Sequence, residues 1–305
     1  MLRLWHEAEL GRGAALGFNC DALDLLVFSE PYFKSDGLIF AIDDETHQPV
    51  GYVHAGFGPN GTGTELDFTQ GVICVVMVLP AYRRKGIGSE LVKRAEAYLQ
   101  SKGTTQIQAG ESGLRSPFYL GLYGGSDAVG FLESDAAAKP FFTKLGYTVS
   151  QRHLLFRREI SQKNDPFDPR LVPIRRRVQL GMMDQPEAAN WWWMTRTGRF
   201  DSISFILAQQ TAPELLARAT VWGMDFQSAS WRHRTVGLQD LFVPVPERRK
   251  AYAKTLVLEV MRQMREQLIT HLDLSAPESD VPAVNLCNKL GFTQLDTGET
   301  FTRTP

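Results

Sequence analysis

Residues Val78–Gly88 read V-L-P-A-Y-R-R-K-G-I-G. The stretch joins the end of an apolar strand, Gly71–Leu79 (GVICVVMVL), to a helix that follows at once. That strand is β-branched and almost wholly apolar, so it is expected to be buried on both faces. Past the turn, Ile87, Leu91, Val92, Ala95, Tyr98 and Leu99 recur at helical spacing, with Glu90, Lys93, Arg94 and Glu96 opposite. The helix therefore starts near Gly86–Gly88. Its first N–H groups have no partner there, and its dipole adds about half a positive charge. Gly86 and Gly88 have no Cβ, so an anion can approach the bare backbone, and Arg83, Arg84 and Lys85 add charge. The turn is built for phosphate.

Two common phosphate loops are excluded. A Walker loop needs G-x-x-x-x-G-K-[ST], but Gly88 is followed by Ser89-Glu90. A dinucleotide turn needs G-x-G-x-x-G, and its third Gly position is Leu91. Val78-x-Pro80 followed by Arg83-x-x-Gly86-x-Gly88 instead resembles the acyl-CoA loop of the GCN5-related N-acetyltransferases (GNAT), V-x-P then R/Q-x-x-G-x-G/A. Ser134–Tyr147 (SDAAAKPFFTKLGY) is similar to the family's later helix, N-x-x-A-x-x-L-Y-x-K-x-G-F, with Lys144, Gly146 and Tyr147 in place. Asp135 stands where the family has Asn, and Phe142 where it has the Tyr that protonates the departing thiolate. The resemblance implies acetyl-CoA as cosubstrate, without a metal. Its pyrophosphate would lie on Arg83, Arg84, Lys85, Gly86, Ile87, Gly88 and Ser89. Its thioester would lie against Val76, Met77 and Val78, and its pantetheine arm along Asp135 and Phe142.

The plan occurs twice. Val243–Ala253 (VPVPERRKAYA) lies over Val78–Gly88 without a gap, so Arg248 stands 165 residues after Arg83. Ser279–Phe292 (SDVPAVNLCNKLGF) repeats Ser134–Tyr147 at a spacing of 145. The first copy therefore carries about 20 extra residues, within 113–133. Ala251 and Ala253 replace the two glycines, and Cys287 the Tyr, so the second copy reads as degenerate. A Cβ at Ala251 meets the pyrophosphate or costs about 1–2 kcal/mol if φ must be positive. The expected organisation is a first domain over 1–160, a Pro-rich linker over 161–178 and a second domain over 179–305. Each would hold a mixed sheet, an α+β fold. Pro186–Met194 is the one helix candidate ahead of the second domain's strands.

Composition agrees with two domains: 305 residues with 43% hydrophobic content are enough for two cores. A formal net charge of −1 offers nucleic acid no general attraction. Cys20, Cys74 and Cys287 are scattered without a metal or disulfide pattern. No apolar run nears 20 residues, and a cytoplasmic enzyme without membrane contact is the expectation.

Acetyl transfer to an amine needs a neutral nucleophile. An alkylamine of pKa about 10.4 is neutral only about once in 2,500 at pH 7, so a base or a chain of waters must take its proton. Cys74, Val75, Val76 and Met77 offer no carboxylate. The resemblance makes Thr105–Ala109 the strand from which Gly71–Leu79 splays, so Glu111 just after it is the candidate base, or else a loop Glu, ahead of Asp67. Tyr119, with Tyr123, is the candidate acid in place of Phe142. The Gly- and aromatic-rich segment 113–133 reads as a lid over an acceptor cleft, or else as a brace against the second domain. Trp191–Trp193 reads as a plug of the domain interface or of a core, and His54 as a structural histidine. The acceptor, a small-molecule or protein amine, has no readable motif. A non-catalytic acyl-CoA-binding module is the alternative, and the oligomeric state is unknown.

Overall fold

The computed structural model describes residues 1–13, 15–119, 125–183, 190–196, 198, 200–211, 214–225 and 231–303. The first half opens with α1 (Leu2–Glu7) and α2 (Cys20–Leu23), which widens into a π turn over Asp24–Phe28. Then come β1 (Leu38–Ile42), β2 (Pro49–Pro59), β3 (Leu66–Val78), α3 (Ile87–Ser101) and β4 (Gln106–Ala109). Short β5 (Phe131–Leu132), α4 (Ala138–Lys144) and β6 (Thr148–Glu159) follow. The second half holds α5 (Leu171–Arg175), β7 (Val178–Met183), α6 (Trp191–Arg196), β8 (Ser202–Gln209), β9 (Leu215–Gly223) and β10 (Thr235–Phe242). It ends with α7 (Tyr252–Glu266), β11 (His271–Pro277), α8 (Val281–Lys289) and β12 (Thr293–Arg303). Helix α1 and strand β7 have no counterpart in the sequence reading. Of the Pro186–Met194 helix candidate, residues 186–189 lie outside the described residues, and α6 carries the rest.

The expectation of one sheet per domain is corrected. Among the described residues a single twelve-stranded sheet runs β1-β2-β3-β4-β12-β6-β11-β10-β9-β8-β7, with β5 on β12. Each half sends its closing strand to the other: β12 lies against β4 (Phe301↔Ala109), and β6 against β11 (Leu274↔Phe156). The two exchanged strands pair with each other over Thr293–Thr302. The exchange covers both inner edges, which would otherwise offer open hydrogen-bonding rows. It makes one α+β body from two repeats.

The sheet's faces carry separate cores. Behind α3 and α4 lie Ile73, Leu91, Val92, Ala95, Leu99, Phe142 and Phe301. On the opposite face, Trp5, Tyr52, Cys74 and Phe118 pack with Trp192, Trp222 and Met224 of the second half. The second half has its own core under α7. Trp192 stacks on Tyr32 at 5.0 Å, so the tryptophan run joins the halves as the sequence suggests.

The lid reading is corrected for residues 125–133, which brace the second half. Ser126 O accepts from Trp222 Nε1 (2.9 Å) and Gln239 Nε2 (2.5 Å), and Val129 abuts Gly298. The Ser126 Cβ and the Val129 carbonyl and side chain take up the space that glycines 237 and 298 leave by lacking a Cβ. Residues 120–124, with Tyr123, lie outside the described residues.

Candidate active site

The glycine turn is built as a cradle. Pro80–Tyr82 form a 3₁₀ turn, Arg84 takes φ +64°, and Gly86 caps α3 at φ +84°. Glu90 N to Gly86 O is the first intrahelical bond, so the amides of Ile87, Gly88 and Ser89 precede the ladder. A Cβ at Gly86 would point into open space, whereas one at Gly88 would come within 3.2 Å of the Phe141 ring. Gly88 is therefore closed toward α4, and Gly86 is the approach for an anion. Arg83 is committed elsewhere: its Nε donates to Val78 O (2.9 Å) and its Nη2 to Ala8 O. Arg84 and Lys85 are exposed beside the turn, with Lys85 over the Tyr82 ring. The residues present fit a pyrophosphate.

Behind the turn, β3 splits from β4. Their parallel ladder ends at Ile73↔Ala109, and Gly110 turns the chain away at φ +90°. On the other side, His54 pairs with Val75 and Ala55 with Ile73, which leaves Cys74 as a bulge. A bulge bends its strand, and here it opens β3 from β4 where Val75–Val78 begin. Val76 and Val78 are half-buried, and Met77 is buried. Asp135 Oδ1 accepts from Ala137 N (3.1 Å) ahead of α4, while Phe142 is sealed among Phe131, Phe141, Tyr147 and Phe301.

Glu111 lies at the mouth of the split. It is 4% exposed; Oε1 accepts from Phe118 N (2.8 Å), and Oε2 has no partner. Burial pushes its carboxyl up to about 7, against the opposing pull of Arg196, the Phe118 amide and the Cys74 thiol. Tyr119 is buried at φ +26°, a rare conformation for a bulky residue. Its hydroxyl meets His54 Nδ1 at 3.0 Å. His54 stacks on Phe118 at 4.2 Å, its Nε2 has no partner, and burial lowers its pKa to about 3, so the ring is neutral. The structure thus brings Glu111, Tyr119 and His54 together on one side of β3. Asp67 is half-buried at the start of β3, where its Oδ1 accepts from Thr69 N and Oγ1 two residues on.

One residue the sequence reading missed comes from the other half. Arg196, at the end of α6, is 3% exposed, and its Nε donates to Ser116 O (2.6 Å) and its Nη2 to Phe118 O. It stands 85 residues from Glu111, next to a tryptophan run that reads as packing.

The sequence model of the acetyltransferase (GNAT) family matches residues 14–119 and 175–292. The chain belongs to the acetyltransferase (GNAT) family. Acetyl-CoA is the acetyl donor of that family in general. A tandem GNAT protein from the clavulanic acid biosynthesis pathway is 14% identical, covers 99% of this chain and 93% of its own, and superimposes with a TM-score of 0.64. A GCN5-related glucosamine N-acetyltransferase region of a fungal multi-domain β-N-acetylglucosaminidase gives 14% identity and 0.64, over 93% of this chain and 36% of that one. A GCN5-related N-acetyltransferase from Sphaerobacter thermophilus gives 12% and 0.58, over 88% and 81%. At these identities the likeness is one of fold, and it includes the tandem arrangement. No curated protein matches the sequence. Among the described residues, no helix is long and apolar enough to cross a membrane.

Proposed function

We propose that the chain is an N-acetyltransferase that uses acetyl-CoA and works through its first half. The observation that carries this is Glu111: a buried carboxyl, one oxygen tied to Phe118 N, the other unpaired beside the Cys74 bulge. When bound, acetyl-CoA supplies the activated acetyl thioester. The amides of Ile87, Gly88 and Ser89 hold its pyrophosphate, with Arg84 and Lys85 adding charge. The split between β3 and β4 orients the thioester beside Val75–Val78. Glu111 Oε2 takes the proton of the incoming ammonium, a task suited to a carboxyl that titrates at about 7. Tyr119, fixed by neutral His54, holds its hydroxyl proton on the same side, in place of the family Tyr that Phe142 replaces. Trp192 and the aromatic wall exclude water. A buried site of this kind suits a small-molecule amine better than a protein amine.

The second half keeps the left-handed cap but places the Ala251 Cβ on it, and Ser126 of the brace bonds Gln239 just past the end of the β10–β11 ladder. A second reading, a non-catalytic acyl-CoA-binding module, is favoured by the near-complete burial of Glu111 and Tyr119. Thiol release from acetyl-CoA with a mixed amine panel separates the two. Turnover on any amine, lost in Glu111→Gln, supports the enzyme. Tight coenzyme binding with no turnover on the panel overturns it.

A further inference from the structure

Two oppositely charged side chains buried against Phe118 each keep one atom without a partner: Glu111 Oε2 and Arg196 Nη1. They are tethered to the same residue. Glu111 accepts from Phe118 N–H, and Arg196 donates to Phe118 C=O and to Ser116 C=O. Held this way by backbone, they form no ion pair with each other, and no carboxylate pairs with Arg196 among the described residues. A guanidinium 3% exposed has lost its water, and a buried charge of this kind needs a counter-charge. Within the protein, the carboxyls of Glu111 and Asp127 act on it through space, without a direct ion pair. Beside Phe118 lie Tyr32 and, stacked on Tyr32, Trp192, with the carboxyls of Glu30 and Asp127 also in electrostatic reach.

We infer that the acceptor amine also carries a carboxylate: its nitrogen lies at Glu111 and its acid group at Arg196. The inference rests on the first half being the acceptor site. A ligand of this class completes both unpaired atoms at once, and a planar guanidinium with a free Nη1 edge is the side chain best matched to a carboxylate. It also gives the second half a part in selection, because α6 carries Arg196 across to Ser116 and Phe118 of the first half. Arg196 is thus a specificity residue for the acid group, and Glu111 the group at the reacting nitrogen.

The test compares amines that differ only in the acid. Free amino acids, their carboxamides and their decarboxylated amines are each offered to the full-length protein with acetyl-CoA, and binding is followed by calorimetry alongside thiol release. The best acid-bearing acceptor is expected to exceed its carboxamide at least tenfold in kcat/KM, mainly through KM. Arg196→Gln and Arg196→Lys are expected to bring that ratio close to one and to about three, respectively. A ratio near one in the wild type overturns the inference, as does preference for the carboxamide or the plain amine, and both leave the transferase reading intact. Selective binding of acid-bearing amines without transfer supports the inference and overturns the transferase reading. Absence of both binding and transfer for every acid-bearing amine overturns the inference. The wild-type comparison decides even if Arg196→Gln fails to fold.

Discussion

Gly86 and Ala251 hold the same left-handed backbone position in two turns 165 residues apart, with φ of 84° and 64°. Both residues cap the following helix, and both turns are tied by an arginine Nε to a strand carbonyl: Arg83 to Val78 and Arg248 to Val243. The second turn has therefore kept its geometry and accepted the strain of a Cβ, about 1–2 kcal/mol. Ala251→Gly is expected to stabilise the protein by about 0.5–1 kcal/mol, after part of that strain relief is offset by the entropy of an unfolded glycine. Gly86→Glu is expected to abolish coenzyme binding measured by calorimetry, while Ala251→Glu hardly changes it. Equal losses at both positions would show a working second site.

The role proposed for Glu111 makes activity depend on pH. Its carboxyl must be ionised to accept a proton, and it titrates at about 7, so kcat is expected to rise through neutral pH. Glu111→Gln removes this limb and lowers kcat by about 10²–10⁴-fold. Stability moves the other way. Folding raises the carboxyl from 4.5 to about 7, so between those values the unfolded chain is ionised and the native one is not. The native state therefore loses stability as pH climbs across that window, and the penalty is complete above about 7. Glu111→Gln is expected to raise the Tm at pH 8 and to leave it unchanged at pH 4.

Gly298 shows how tightly the brace is gripped. A Cβ there would collide with the backbone oxygen and the side chain of Val129, and neighbouring Gly130 sits at φ +84° against Glu299. Val129 is held in a bridge to Ser112 and cannot move aside freely, so Gly298→Ala is expected to cost about 1–3 kcal/mol in a denaturant titration. Gly61, with nothing within 4 Å of its absent Cβ, serves as the control, and Gly61→Ala should leave the midpoint unchanged.

Most strands and the coenzyme turn are legible in the sequence because their signals are local. The strand Ser202–Gln209 and the helix after Gly86 follow from β-branched runs, periodicity and a glycine with no Cβ. The bulge at Cys74 and the exchange of β6 with β12 are not legible, because they depend on which distant strand supplies the hydrogen bonds. Thr293–Arg303 alternates well enough to be a strand, yet nothing in its residues says that it pairs with Gln106–Ala109. Arg196 is hidden for the same reason. Its chemistry appears only when α6 folds against residues 116–118, and an arginine three residues past Trp193 is the sole hint.

The exchange predicts that neither half folds alone. In a chain ending at residue 160, β4 loses Phe301–Arg303 and β6 loses its partners on both sides, β12 and β11. Strand β6 would then stand without a neighbour, and buried Phe156 and Leu155 would face water. Phe142 would also lose Phe301, which stacks on it at 5.2 Å. The fragment is expected to be aggregated or molten, with weak near-ultraviolet circular dichroism, even though it holds the whole coenzyme turn. The intact chain should unfold in one cooperative transition, because the central pair β12 and β6 belongs to both halves. A soluble 1–160 fragment with native-like dichroism and coenzyme affinity would refute this coupling. Two resolved calorimetric transitions in the full chain would refute it too.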